Sequence, residues 1–214
     1  LLFVLPWLIG FLAFQLGPLV ASFVMTFMEY DIIREPRFIG VENYVNMFED
    51  ELTWKALVNT FSFVIGSVPL RIVLALSVAL LLNRKLRGTT FFRTIYYLPT
   101  VTSGVAIAML WQWVYQPSYG LINSLLGYIG IRGPGWLGSP QWALPAMVIM
   151  TVWQSTGTLM VIYLAGLQGV PEYLYEAASL DGAGSWQRFR CITVPMMSPT
   201  IFFTIVYSII QCFQ

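Results

Sequence analysis

Long apolar runs alternate with short polar connections along this chain. A bilayer core about 30 Å thick is crossed by about 20 mostly apolar helical residues. Five stretches meet or approach that length: residues 1–28, which carry no charge, about 56–82, interrupted only by Arg71, about 94–116, about 142–168, and about 197–214. The pattern predicts an all-α integral membrane protein, a polytopic bundle of five spans with the fifth cut short. The first run is too long for the apolar core of a signal peptide, about 7–15 residues, and no A-x-A site follows it. The sequence starts without Met inside one run and stops inside another. It is therefore expected to be a single transmembrane domain, residues 1–214, incomplete at both ends.

Charge assigns the sides. Arg84, Lys85, Arg87 and Arg93 join the second and third runs with no acidic residue among them, which marks that connection as cytoplasmic. The connection at 29–55 is acidic and alternates with it, so it faces outward. So does 117–141, which is rich in Gly, Pro and Ser. Arg188 and Arg190 then fall on the inner side again, and the N-terminal side is cytoplasmic. Trp111, Trp113, Tyr115, Trp136 and Trp142 gather at span ends. They read as an interfacial aromatic belt, with a sugar-stacking platform as the alternative.

Composition narrows the chemistry. The chain of 214 residues is 57% hydrophobic and 10% charged, against about 25% charged in an ordinary soluble domain, and its mean hydropathy is +0.72. Lipid is its solvent. A net charge of +1 gives no reason to expect nucleic acid. With no histidine, His-dependent acid–base catalysis, Ser/His/Asp and Cys/His arrangements and His-ligated zinc are excluded. No metal site is expected. Cys191 and Cys212 have no histidine to activate them and read as inert thiols. There is no G-x4-G-K-[ST] motif, so ATP hydrolysis cannot reside here, and Gly133-Pro134-Gly135 opens no nucleotide-binding unit.

Residues 169–195 read GVPEYLYEAASLDGAGSWQRFRCITVP. They are too polar to span and lie on the inner side. Pro171 and Glu172 suit a helix start, and Tyr173, Leu174, Ala177, Ala178 and Leu180 form an apolar, small-residue face at helical spacing. Gly182 and Gly184 permit a sharp turn, after which Ser185 is placed to cap a second helix. The prediction is a short helix–turn–helix projecting inward, with Glu176 available for pairing.

Glu176-Ala177-Ala178, Gly182, Ile192 and Pro195 match E-A-A-x3-G-x9-I-x-L-P, with Val194 in place of Leu. On these residues the chain resembles the membrane subunits of bacterial ABC importers. Phe38-Ile39-Gly40-Val41-Glu42-Asn43-Tyr44, Asn59-Thr60, Leu82-Asn83-Arg84, Phe91-Phe92-Arg93-Thr94 with Leu98-Pro99, and Gly120-Leu121-Ile122-Asn123 are similar to the carbohydrate-uptake branch. More narrowly, they resemble the first permease of maltose-, lactose- and glycerol-3-phosphate-type systems. The resemblance implies a type I importer membrane domain in the bacterial cytoplasmic membrane, working by alternating access. It implies that Glu176, Ala177, Ala178, Asp181, Gly182, Ile192 and Pro195 form a coupling loop in a cleft of a separate ATPase dimer. ATP and Mg would be held by that partner, and this chain would bind no cofactor of its own. A second permease subunit and an extracytoplasmic solute-binding protein are the other implied partners. The family would add a basic N-terminal tail, the rest of span five and a sixth span.

Polar groups inside spans mark pathways or helix contacts. Thr151, Gln154, Ser155 and Thr158 share one face of the fourth span, where they either hydrogen-bond a polyol or join helices. Arg71 either binds an anionic substrate such as a sugar phosphate or uronate, or pairs with backbone carbonyls, or lies nearer an interface. Thr100, Thr102 and Ser103 follow Pro99, where a kink is expected with its freed carbonyl satisfied locally. Phe38, Tyr44, Phe48 and Trp54 make the 29–55 connection either a docking surface for a binding protein or a solvated connector. A secondary transporter or channel is the competing class, but such proteins often couple through intramembrane carboxylates. All ten acidic residues here lie in connections or at span ends. A membrane-embedded enzyme is left with little chemistry.

Overall fold

A computed structural model describes residues 3–31, 33–84 and 88–213. Contacts divide the chain into two units, Leu1–Val58 and Asn59–Gln214. In the first unit, α1 (Leu5–Phe11), a π turn (Leu12–Leu16) and α2 (Gly17–Met25) form one apolar rod of 21 residues, Leu5–Met25, with no buried residue. The acidic connection is structured. Strands β1 (Met28–Glu29) and β2 (Arg37–Phe38) pair antiparallel, and α3 (Glu42–Glu49) follows. Asn43 donates from Nδ2 to the carbonyls of Thr26 and Met28, both at 3.0 Å, and the Tyr44 hydroxyl donates to Thr26 Oγ1 at 2.8 Å. Those two side chains are spent on holding α3 to the end of the rod.

The next helix, α4 (Glu51–Leu82), starts five residues before the apolar run that announces it. Asp50 is the reason. Its Oδ1 accepts from Leu52 N at 3.0 Å and its Oδ2 from the Thr53 hydroxyl at 3.2 Å, satisfying donors that a helix start leaves orphaned.

In the second unit, α4 is followed by α5 (Thr89–Val101), α6 (Gly104–Val114), α7 (Leu121–Tyr128), α8 (Ala143–Gln168), α9 (Glu172–Leu180), α10 (Ser185–Arg188), a π turn (Phe189–Thr193) and α11 (Val194–Phe213). Among the described residues four helical stretches are long and apolar enough to cross a membrane: Leu5–Met25, Glu51–Leu82, Ala143–Gln168 and Ser185–Phe213. The third expected span is instead a pair, α5 and α6, bent by 100°. Pro99, where a kink was expected, stays inside α5; the break comes at Thr102 and Ser103, both extended. Thr102 Oγ1 donates to Leu98 O at 2.8 Å, so this hydroxyl does satisfy the break locally. Arg93 is not in a connection either. It lies in α5 and reaches back to Leu82 O at 3.5 Å, a cation at the negative end of α4. Lys85 and Arg87 lie outside the described residues.

Ala75, Val78, Ala79 and Leu82 of α4, Leu159, Met160, Tyr163, Leu164 and Leu167 of α8, and Met197 of α11 form the main core. A second cluster overturns the aromatic belt. Trp111, Tyr115 and Trp136 are buried against Ala146 rather than presented to lipid. Tyr115 donates to Ala146 O at 2.7 Å and Trp136 Nε1 to Asn123 Oδ1 at 2.7 Å. Tyr115 and Trp136 thus bring their polar tips to fixed partners, as buried Tyr and Trp usually do, while Trp111 Nε1 is buried with none. Trp113 and Trp142 keep the exposure a belt needs.

The tightest approach that a glycine makes between two of the long helices is at Gly157 of α8. A β-carbon there would run into Tyr96 O and sit 2.6 Å from Thr100 Oγ1 and 2.9 Å from Tyr97 Cα, all on α5. On α11, Met197 Cε and Thr200 Oγ1 would lie 2.9 and 3.0 Å from a β-carbon at Gly166. Gly157→Val is therefore expected to cost about 1–3 kcal/mol through overpacking, seen as a lower inactivation temperature in detergent. Gly127→Ala, with nothing within 4 Å, serves as the neutral control.

Candidate functional site

Two places in the second unit carry chemistry. The first is the turn after α8. Pro171 is the N-cap of α9, and Glu172 stands in its first turn, at the positive end of the helix dipole. The chain leaves α9 through Gly182 at φ +79°, a left-handed conformation that favours glycine. Two corrections to the expected helix–turn–helix follow. Ser185 is the first helical residue and not the cap: Gly184 takes that position, and its N–H donates to Gln187 Oε1 at 2.9 Å. The second helix is also not a separate element, since Ser185–Phe213 runs on for 29 residues as a span.

Nor do the apolar residues of α9 share one face. Leu174, Tyr175 and Ala178 turn inward, half-buried, while Tyr173, Glu176, Ala177 and Leu180 turn outward. Leu180 is 90% exposed, and Trp186 on α10 is 70% exposed. Asp181 and Gly182 are exposed too, and Glu176 enters no ion pair among the described residues. Ile192 is half-buried and packs on the main core beside Tyr175. Pro195 lies exposed in α11, just past the π turn. Its ring cannot donate to the carbonyl one turn back, and a wider turn makes room for it. The other π turn, Leu12–Leu16, likewise precedes Pro18. Pro69 and Pro199 sit in helix without one, so proline permits the π turn rather than dictating it.

Hydrogen bonds tie α9 to the start of the last span. The Tyr175 and Thr193 hydroxyls are 3.0 Å apart, and Arg188 Nη1 donates to Ser179 Oγ at 2.9 Å. Ala178, Asp181, Gly182, Ala183, Gln187 and Ile192 line part of a shallow groove of about 340 Å³ at this turn.

The second place is a cavity of about 250 Å³ between the helices. Thr151, Gln154, Ser155, Thr158 and Arg71, singled out separately in the sequence, all line it. Three further polar residues come from α11: Tyr207, Ser208 and Gln211. The signal that found the α8 set, polar side chains within an apolar span, is present for them as well. Thr100 also lines the cavity. Its hydroxyl crosses to α8 and donates to Gln154 O at 3.2 Å, so it does not serve its own kink.

Thr151 and Ser155 donate to the carbonyls of Met147 and Thr151 at 2.7 and 2.8 Å. Their protons are spent, which leaves lone pairs as acceptors for a ligand's hydroxyls. Both bonds stay within α8 and join no second helix. Arg71 is 5% exposed, and its Nε is buried with no hydrogen-bond partner. Its guanidinium stands 5.9 Å from the Phe63 ring centroid, within cation–π range.

A bundle of apolar spans around a hydroxyl-rich cavity, with an exposed helix and turn at one end, is the build of a multi-pass membrane permease. The family of binding-protein-dependent transport system inner membrane components matches residues 71–214, and the chain belongs to it. It is accordingly a multi-pass protein of the inner membrane. It is 42% identical over 99% of its length, and 69% of the relative's, to the "Probable ABC transporter permease protein YesP" of Bacillus subtilis (strain 168). It is 35% identical over its whole length, and 72% of the relative's, to the trehalose/maltose transport system permease protein MalF of Thermococcus litoralis. Against the lactose transport system permease protein LacF of Rhizobium radiobacter the identity is 39%, over 100% of this chain and 72% of that one. Among solved structures, a bacterial ABC transporter for import of the acidic polysaccharide alginate is 31% identical, with a TM-score of 0.81 over 96% of this chain and 70% of that one. The same kind of transporter in complex with an alginate-pentasaccharide-bound periplasmic protein gives a TM-score of 0.82 at 30% identity, over 96% and 69%.

Loss of the bond between α9 and the last span has a local readout. Tyr175→Phe is expected to speed amide hydrogen exchange over Glu172–Leu180 by up to about tenfold, the equivalent of one hydrogen bond worth about 0.5–1.5 kcal/mol, while α8 keeps its protection.

Proposed function

We propose that this chain is the sugar-translocating permease subunit of an ABC importer. Residues 1–214 form a single permease domain that pairs with a second permease subunit. A separate ATP-binding dimer drives it, and an extracytoplasmic binding protein feeds it. The observation that carries the reading is the presence on one chain of a hydroxyl- and amide-walled cavity inside the spans and an exposed apolar face around an unpaired Glu176. The relatives named for trehalose, maltose and lactose transport favour a sugar or related polyol as cargo.

Glu176, Ala177, Ala178, Asp181 and Gly182 form the face that enters the ATPase cleft, and Ile192 and Pro195 anchor that face to the last span. Small side chains at Ala177 and Ala178 let the partner's surface come close, while Leu180 and Trp186 supply apolar area of the kind that marks interaction sites. ATP and Mg belong to the partner, so this chain binds neither. ATP binding closes the ATPase dimer, α9 follows it as a rigid lever, and the bundle opens outward to receive sugar. Hydrolysis resets it. Arg84, Arg188 and Arg190 support a cytoplasmic position for the coupling turn and the N-terminal side. Thr151, Gln154, Ser155, Thr158 and Arg71 line the substrate path.

Two measurements test this reading. Wild-type protein is expected to co-purify with an ATPase that Glu176→Arg or Leu180→Arg loses; a wild type that brings down no ATPase sinks the proposal. Gln154→Ala with Ser155→Ala is expected to raise the half-saturation constant of sugar uptake or to change its substrate range. Unchanged kinetics would remove these residues from the path.

A further inference from the structure

Arg71 gives the cavity a charge that a neutral sugar does not need. It stands on α4, more than nine-tenths buried, and lines the same cavity as the hydroxyls and amides of α8 and α11. Its Nε is buried without a hydrogen-bond partner. Its described neighbours are the Phe63 ring and the Cys212 thiol, and neither carries a formal negative charge that offsets a cation. The chain's carboxylates occupy positions 29, 31, 35, 42, 49, 50, 51, 172, 176 and 181. All lie outside the portions of α4, α5, α8 and α11 that surround the cavity. The one ion pair among the described residues is Lys55–Glu51.

A guanidinium within a membrane span is expensive and is kept where it pairs, or where it serves a path. Its planar fork fits a carboxylate or a phosphate with two parallel hydrogen bonds. No other residue of the wall is charged, so none supplies an anion beside it. Thr151, Ser155 and Thr100 have given their protons to carbonyls and offer only acceptors, which suit the hydroxyl donors of a saccharide and repel an anion. The two kinds of group are complementary to one molecule. Acceptors meet sugar hydroxyls and the cation meets an acidic substituent. At about 250 Å³ the cavity is smaller than the range of about 300–1,000 Å³ that encloses a drug-sized ligand, so it takes one sugar unit at a time.

We propose that Arg71 is the anion-recognising residue of the translocation path and that the importer carries an acidic saccharide, one bearing a carboxylate or phosphate on the unit that occupies this cavity. The inference rests on the sugar-permease reading above and narrows its substrate class.

Proteoliposomes holding the whole importer, supplied with its own binding protein and ATP, test it with three labelled probes: a galacturonate disaccharide, the matching neutral galactose disaccharide and glucose 6-phosphate. The expected result is import of an acidic probe in preference to the neutral one. Arg71→Gln is expected to lower that import at least tenfold, and Arg71→Lys, which keeps the charge but not the fork, to recover part of it. Whichever acidic probe is carried separates carboxylate from phosphate. Gln154→Glu, placing a carboxylate in the same cavity, is expected to lower import of the acidic probe as well. Co-purified ATPase and second permease are quantified for every variant. Import of the neutral probe alone overturns the inference and leaves the sugar-permease reading standing, as does an Arg71→Gln importer that carries the acidic probe at the wild-type rate. Import of no probe also overturns it. Loss of the second permease on Arg71→Gln would show that Arg71 pairs with the partner chain, and the proposal would fall.

Discussion

The close approach of α8 to α5 at Gly157, and to α11 at Gly166, is the constraint on which the rest of the second unit depends. Lipid tails are as apolar as leucine, so helices in a bilayer gain nothing by hiding apolar surface from them. Association rests on van der Waals contact and hydrogen bonds, and both need backbones brought close. Glycine at these two positions supplies the closeness. The buried pair of Tyr163 and Thr204 hydroxyls, 2.6 Å apart, then bridges α8 to α11 where no water competes.

Once α8 is held on both sides, its polar face has a defined surrounding. Thr151, Gln154, Ser155 and Thr158 look into a cavity whose far wall is α11 and α4. The bend after α5 contributes to the same geometry. With the chain turning through 100° at Thr102 and Ser103, α5 lies against α8, and Thr100 reaches the Gln154 carbonyl. A straight span across residues 94–116 would not present the same residues. The hydroxyls are thus used twice, as donors to the fold and as acceptors toward the cavity. Arg71 is the one charged group in that wall, and no carboxylate lines it.

At the other end, the same chemistry makes a lever. The E-A-A residues stand on a short exposed helix, Gly182 turns the chain back, and Ile192 packs into the core beside Tyr175. From Ser185 onward the backbone is one helix into the membrane. In the proposed coupling role, a push on α9 would be delivered to α11, which also walls the cavity. The spacings in the loop correspond to an exposed face, a turn at Gly182, a half-buried Ile192 and a proline beside a π turn.

The sequence by itself determined the class of fold and pointed to the residues of both candidate sites. Hydropathy, charge asymmetry and the spacing from Glu176 to Pro195 are local properties, legible along one dimension. The cavity residues of α4 and α8 are legible there too, because a polar side chain in an apolar span is conspicuous wherever it points. What only the tertiary structure decided is what those side chains face. The aromatic residues near 111–136 look the same in sequence whether they meet lipid or each other, and it is the partner bonds at Ala146 and Asn123 that put them inside. The early start of α4 at Asp50, the bend beyond Pro99 and the recruitment of Tyr207, Ser208 and Gln211 from the last span are likewise long-range or capping outcomes. Arg71 is the clearest case. Its charge could be read from the sequence, but its lack of a counter-charge depends on every helix around it.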